Sequence, residues 1–404
     1  MATIHTAAAL DHISVIDLSE YLSGPYCTKL MSAFGAEVIK VETPGTGDRS
    51  RHIRFSPQTP ADPERSPVFQ YLNTSKKSIT LNFHTREGKE ILLELLKHAD
   101  VLVENDRPGV MDQSGLGYAI LEKLNPGLVM ASITDFGQTG VYRDYTGGRL
   151  AGYALGGYMY VTGDPDREPL AGGGRQPAYQ GGLQACIGIL AALMNRGATG
   201  RGDYVDVSIM ECMAGIHQYT LSRYAYSGSI QKRTGNRHMW AHPVTVYPCL
   251  DGYVAVSAVT DDQFERLCLA MEMPELASNT AFDTSRKRAA NAYAFDKTVL
   301  GWFASRSSKD IIEAFMEWRV PAARVNTLED LLSDPQYRER GFWKTVFHPK
   351  AGRLTVPGAP FIMSRTPAKT GRAPLLGEHN RDIYTGRLKM TENRLLKLKE
   401  KGVI

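Results

Sequence analysis

The stretch from Pro169 to Cys212, PLAGGGRQPAYQGGLQACIGILAALMNRGATGRGDYVDVSIMEC, constrains this chain more than any other. A glycine-rich turn leads into an apolar run with Ile187, Leu190, Ala191 and Met194 on one helical face and small residues around the rest. The spacing predicts a helix over 181–196. ATGRGD then stops it, since its glycines suit a turn and not a continuing helix. YVDVSI alternates apolar and polar residues, as a half-buried strand does. A helix so rich in glycine and alanine must pack closely against its neighbours, and a strand directly behind it suggests a layered α/β fold.

The chain before this stretch repeats the same grammar. HISVIDLSEY, EVIKVE, SKKSITLNF, ADVLVEN and GLVMASITDFG read as strands, with helices such as TREGKEILLELLKHA between them. Short connections favour parallel strands with right-handed crossovers. GLVMASITDFG is nearly all apolar, as a strand covered on both faces should be. Residues 43–67, rich in Pro, Arg and Gly, read as a long surface loop.

After residue 218 the pattern changes. VTVYPCLDGYVAVSAV reads as two strands joined at Asp251-Gly252. DDQFERLCLAMEM, KRAANAYAFDKTVLGWFAS and SKDIIEAFMEWRV read as amphipathic helices. The expected organisation is a large Rossmann-like domain begun by residues 1–218, a small α+β domain over 219–325, and a return segment, 326–404, completing the large domain.

Composition narrows the function classes. A net charge of +4 with dispersed positive residues suits acidic small molecules and gives no nucleic-acid surface. Five cysteines without CxxC spacing imply neither a disulfide framework nor a zinc site, and a reducing cytoplasm is expected. No secretory leader and no run of about 18 apolar residues is present, so no membrane partner is expected. His238 and His242 flank Trp240 without acidic company, and no metal is predicted there.

The run IGILAAL followed by TGRGDYVDVSIME resembles the class III CoA-transferases, the formyl-CoA and carnitine type. LSGPYCTKLMSAFGAEVIKVE, LNTSKKSITLN, VENDRPG, VYPCLDGYVAV, RVNTLEDLLSDPQ, VPGAPFIMS and RAPLLGEHN extend the resemblance, in order, over essentially the whole chain. It implies a Rossmann-like open parallel sheet built from both chain ends, a smaller domain between, and an interlocked dimer. It implies CoA and acyl-CoA as substrates, with no covalently bound cofactor.

In that family an aspartate ten residues before the second helix glycine, Gly188 here, is the nucleophile; it forms an acyl anhydride and then a thioester with CoA. Ten residues before Gly188 stands Ala178. A methyl group can neither attack a thioester nor carry an acyl group. Asp164 and Asp166 lie in TGDPDREP, a solvated turn, and are not expected to substitute.

The resemblance places CoA-binding positions at Leu22, Thr43, His84, Asn105, Arg107 and Arg149, most of them altered. Leu22 stands where the family tends to have Gln, Thr43 where it has Arg, and His84 where it has Lys. Gln113 and Thr146 also replace cations, and Gly148-Arg149 replaces a Tyr-acid pair. Losing three cationic partners would cost charge-assisted bonds of about 1.5–3 kcal/mol each. Asn105 matches a CoA-contacting Asn, with Arg107 beside it, although Asn105 could equally cap its turn. Gly172, Gly173 and Gly174 could offer backbone N–H groups to an anion, or form a flexible hairpin tip. Tyr153, Tyr158, Tyr160 and Tyr179 are expected to crowd the cavity.

The expected function is therefore the non-nucleophilic subunit of a heteromeric class III CoA-transferase. A homologous partner would supply the aspartate, and CoA would move from succinyl-CoA to a dicarboxylic acid. (R)-Benzylsuccinate, the acid of anaerobic toluene degradation, is the favoured acceptor. Three alternatives stay open from sequence: a homodimeric transferase inactivated by an Asp-to-Ala178 change, a racemase-like or lyase-like family member, and a ligand-free structural or regulatory dimerisation partner.

Overall fold

The computed structural model describes residues 8–54 and 62–404. Part of the long loop expected over 43–67 thus lies outside the described residues, as do the first seven positions.

Six strands form one wholly parallel sheet: β1 (Ser14–Asp17), β2 (Glu37–Glu42), β3 (Lys77–Thr80), β4 (Val101–Glu104), β5 (Val129–Thr134) and β6 (Tyr204–Ser208). Their order is β3-β2-β1-β4-β5-β6. This is the doubly wound order of Rossmann-type folds, which reverses between β1 and β4. Every residue of β4 and β5 is buried, which explains their mainly apolar character; Glu104, Ser132 and Thr134 are the buried polar exceptions.

The helices around it are α1 (Ser23–Ala33), α2 (Arg86–Leu96), α3 (Tyr118–Leu124), α4 (Arg149–Leu155), α5 (Gln176–Thr199) and α6 (Ile209–Gly215). Thr85 caps α2 by accepting a hydrogen bond from Gly88 N at 3.0 Å. α5 ends on Gly200 in the left-handed region, as the stop signal requires.

The glycines of α5 are packing positions. A Cβ at Gly182 would lie 2.3 Å from the Ser23 carbonyl oxygen of α1, and one at Gly188 would lie 2.7 Å from Val205 Cγ1 of β6. Both distances are shorter than van der Waals contact, so side chains there would push α5 off the sheet. This also explains why α5 begins at Gln176, five residues before the start expected from sequence. Gly181 and Gly182 look like helix breakers in isolation, whereas Pro177 fits a first turn, where its missing N–H costs nothing.

The C-terminal segment returns to this layer. Tyr384 Oη donates to the Thr80 carbonyl at 2.6 Å, and Asn82 N donates to the Val403 carbonyl at 2.7 Å. Ile383, Tyr384, Leu398 and Val403 are buried with Ile79, Leu81 and Leu92. The unit around the open parallel sheet is thus built from both chain ends, while all six strands lie within residues 14–208. Residues 8–157, 173–218 and 335–404 form this compact unit.

Residues 158–172 and 219–334 form the second unit. Its antiparallel sheet has the order β7 (Val244–Cys249), β8 (Gly252–Ser257), β9 (Ala322–Arg324). Helices α7 (Asp261–Ala270), α8 (Ala292–Ala304) and α9 (Ser308–Glu317) supply its aromatic core. Tyr247 stacks on Phe303 at 4.2 Å between ring centroids, and Trp302 on Phe315 at 5.5 Å. No helix among the described residues is long and apolar enough to cross a membrane.

An ionic network is buried beneath the first unit's strand ends. Lys40 Nζ lies 2.7 Å from Asp48 Oδ2 and donates to the Ser19 carbonyl at 2.7 Å. Arg51 clamps Glu42 through two bonds of 2.6 and 2.8 Å and reaches Glu64 at 2.8 Å. Lys76 meets Asp17 at 3.0 Å. Breaking one member of a buried pair strands a charge and costs about 3–5 kcal/mol. Urea denaturation of Arg51→Met should show a loss of that size, and the Glu42→Leu/Arg51→Met double variant should recover most of it.

Candidate functional site

Ligands in a doubly wound sheet bind beyond the carboxyl ends of the strands, where the strand order reverses. Here a cavity of about 270 Å³ occupies that place. The loop after β1 contributes Tyr21 and Leu22, the loop after β4 contributes Asn105 to Pro108, and the end of β5 with the residues after it contributes Ile133 to Phe136. Pro177 and Ala178, in the first turn of α5, close one wall.

Of the residues singled out from sequence, Leu22, Asn105, Arg107, Thr146, Gly148, Arg149 and Ala178 line this cavity; Thr43, His84 and Gln113 do not. Thr43 is exposed and its carbonyl accepts from Gly47 N at 2.8 Å in the turn after β2. His84 is exposed and packs against the Phe83 ring at 4.5 Å. Leu22 is 4% exposed and forms part of the apolar floor.

Asn105 is fully engaged locally. Its Oδ1 accepts from Glu20 N and its Nδ2 donates to the Glu20 carbonyl, both at 2.8 Å. The residue therefore bolts the loop after β4 to the loop after β1, across the point where the sheet reverses. The Arg107 guanidinium has no hydrogen-bond or ion-pair partner among the described residues. Arg149 Nη1 donates to the Gly174 carbonyl at 3.4 Å, and Tyr153 Oη to the Gly173 carbonyl at 3.3 Å. The glycine-rich tip thus presents carbonyls to these neighbours.

The tyrosines expected at the cavity do not line it. Tyr153 is buried, Tyr179 packs edge-on against Tyr26 at 4.9 Å, and Tyr158 and Tyr160 belong to the second unit. The aromatic lining comes instead from Tyr21, Phe136 and Tyr145. Tyr21 has φ +73°, a conformation few non-glycine residues adopt, and its N–H donates to Asp48 Oδ1 at 3.1 Å. Its hydroxyl accepts from Arg175, whose guanidinium lies 4.9 Å over its ring. Nothing in the sequence around Tyr21 signals this backbone; it follows from the buried Lys40–Asp48 pair.

In the second unit His242 Nε2 lies 2.8 Å from Asp296 Oδ1, which also accepts from Tyr247 Oη at 2.6 Å. Arg237 pairs with the same carboxylate at 2.6 Å. The acidic company absent around His242 in sequence is therefore supplied by the fold, in a structural cluster.

Two carboxyls line the cavity, and burial raises both. For Asp135 the N–H groups of Gly147 and Gly148 oppose that rise, and for Asp106 the charges of His84 and Arg49 do. Just beneath, Glu104 is 2% exposed and is raised to about 7. Burial is the main cause, opposed by hydrogen bonds from Ser132 and Asp106 N and reinforced by the Asp106 and Asp206 charges.

Residues 10–380 match the CoA-transferase family III, and the chain belongs to that family. It is 36% identical over 400 residues to succinyl-CoA–D-citramalate CoA-transferase of Chloroflexus aurantiacus, covering 98% of each chain. It is 35% identical over 406 residues to the beta subunit of succinyl-CoA–L-malate CoA-transferase of the same organism, covering 99% of each. Among solved structures, a CAIB/BAIF family protein from Brucella suis superposes with a TM-score of 0.85 at 33% identity, covering 94% of this chain and 99% of that one.

The Glu104 shift fixes a pH prediction for the site's foundation. Its folded value lies above the ordinary carboxyl value near 4.5, so the native state holds a proton that the unfolded chain has released. Stability contributed by this group falls as pH rises from about 4.5 to about 7, by up to about 3 kcal/mol, and is flat above. Glu104→Gln should flatten that segment of the stability-versus-pH curve, measured by urea titration at successive pH values.

Proposed function

We propose that this chain is the non-nucleophilic subunit of a heteromeric class III CoA-transferase. Its partner, a homologous chain bearing the catalytic aspartate, would form an interlocked assembly with it and move CoA from succinyl-CoA to a dicarboxylic acid. The observation that carries this reading is Ala178. The position matched to the family's nucleophile lies in the first turn of α5 and faces the cavity, yet ends in a methyl group. Acyl transfer by this family's route needs a carboxylate that attacks the thioester carbonyl and expels the CoA thiolate.

Two further features support a partner. Leu183, Ile187 and Met194 are 38%, 53% and 80% exposed, and their spacing puts them on one face of α5 as an apolar stripe that a second chain would cover. Relatives named as alpha and beta subunits of succinyl-CoA–L-malate CoA-transferase also exist, at 33% and 35% identity. (R)-Benzylsuccinate as acceptor is supported by the aromatic rings of Tyr21, Phe136 and Tyr145 beside the cavity.

Native mass measurement after co-expression should find this chain with a homologous partner of similar size. Ala178→Asp in the chain alone should give no CoA transfer, because the CoA-facing positions are altered as well. Transfer between acids at an enzymatic rate by the unpartnered wild-type chain would sink the reading.

A further inference from the structure

The cavity is graded from apolar to cationic. Its floor is Leu22, Ile133 and Ile209, exposed by 4%, 1% and 7%. Its rim carries Arg49, Arg107, Arg143, Arg149 and Arg175. Arg49 pairs with Glu20 at 2.7 Å and Arg143 with Asp144 at 3.3 Å. Arg107 and Arg175 have no carboxylate partner among the described residues. Arg175 rests on the Tyr21 ring, which itself is fixed by Asp48.

Two carboxyls, Asp106 and Asp135, share the cavity with this rim. Of the two lining acids, Asp135 is engaged with the N–H groups of Gly147 and Gly148, and burial works against the ionised form of both. The first turn of α5, a helix of 24 residues, opens here with no capping side chain on Arg175, and Ala178 within it brings no carboxylate. Its partial positive charge adds to that of the guanidinium groups.

We infer that this cavity binds a free dicarboxylate bearing an apolar or aryl substituent, without its CoA. The carboxylates pair with Arg107 and Arg175, one of them beside Ala178, and the substituent lies on the Leu22–Ile133–Ile209 floor. Planar guanidinium forks match carboxylates in two-bond pairs. The apolar floor selects against inorganic phosphate, and a volume near the lower end for ligand pockets, roughly 300 Å³, suits a small acid better than CoA. The inference rests on the reading of this chain as non-nucleophilic, since an acid held beside a methyl group stays unreacted.

Isothermal titration of the intact complex tests it, with (R)-benzylsuccinate, succinate, inorganic phosphate and CoA as separate titrants. One class of benzylsuccinate sites should weaken at least about tenfold in Arg107→Gln and in Ala178→Asp of this chain, and less in Arg107→Lys. Succinate should bind that class more weakly than benzylsuccinate. Benzylsuccinate binding indifferent to all three substitutions, or phosphate or CoA binding that class more tightly, would overturn the inference. CoA transfer by the wild-type complex is measured in parallel. If transfer occurs and the site is absent, the ligand inference alone fails; if the complex transfers no CoA, the subunit reading fails on its own.

Discussion

The buried contact between Lys40 and Asp48 holds the functional half of this fold in register. Lys40 is fully buried on β2 and joins two loops at once, through the Asp48 carboxylate at 2.7 Å and the Ser19 carbonyl at 2.7 Å. Asp48 then fixes the Tyr21 backbone, which carries Arg175 on its ring. Burial alone would raise the Asp17 carboxyl nearby. The ammonium groups of Lys40 and Lys76, with the hydroxyls of Ser19 and Thr28, outweigh it and keep that carboxyl below its ordinary range. Such a network adds little net stability over apolar packing, because desolvation offsets attraction. What it supplies is one geometry: loops without regular hydrogen bonding are held by charges that cannot shift without being stranded.

The second constraint is the close approach of α1 and α5. The Ser23 carbonyl leaves no room for a side chain at 182, so the start of α1 meets α5 over a glycine in its second turn. Their first turns face the end of the sheet where β1 and β4 diverge. Leu22 and Ala178 therefore enter the same cavity although 156 positions separate them in the chain. A membership in CoA-transferase family III and an alanine at that place combine into the functional proposal: a scaffold kept whole around a position that cannot carry an acyl group.

Much of the scaffold could be read from residues alone. The six parallel strands have apolar or alternating runs of the right length, and the Thr85 cap and the Gly200 stop carry local signals that do not depend on distant neighbours. The start of α5 did not, because Gly181 and Gly182 break helices in isolation and are needed here for packing. The site was legible in part. Leu22, Asn105, Arg107, Arg149 and Ala178 converge, while Thr43 and His84 stand outside the cavity. The aromatic lining was misplaced for a physical reason: Tyr153 and Tyr179 turn toward protein neighbours, a choice made by packing and not by sequence position.

Chain order by itself determined the α/β layering and the family, since both are written in local periodicity and in short motifs. It also put Ala178 at the position that the family resemblance matches to a nucleophile, which is where the functional proposal starts. Tertiary structure alone decided which arginines share a rim, that Tyr21 takes a left-handed backbone, and that Asn105 joins two loops. Those depend on contacts between residues tens to hundreds of positions apart, and no local preference encodes the distance at which two distant side chains come to rest.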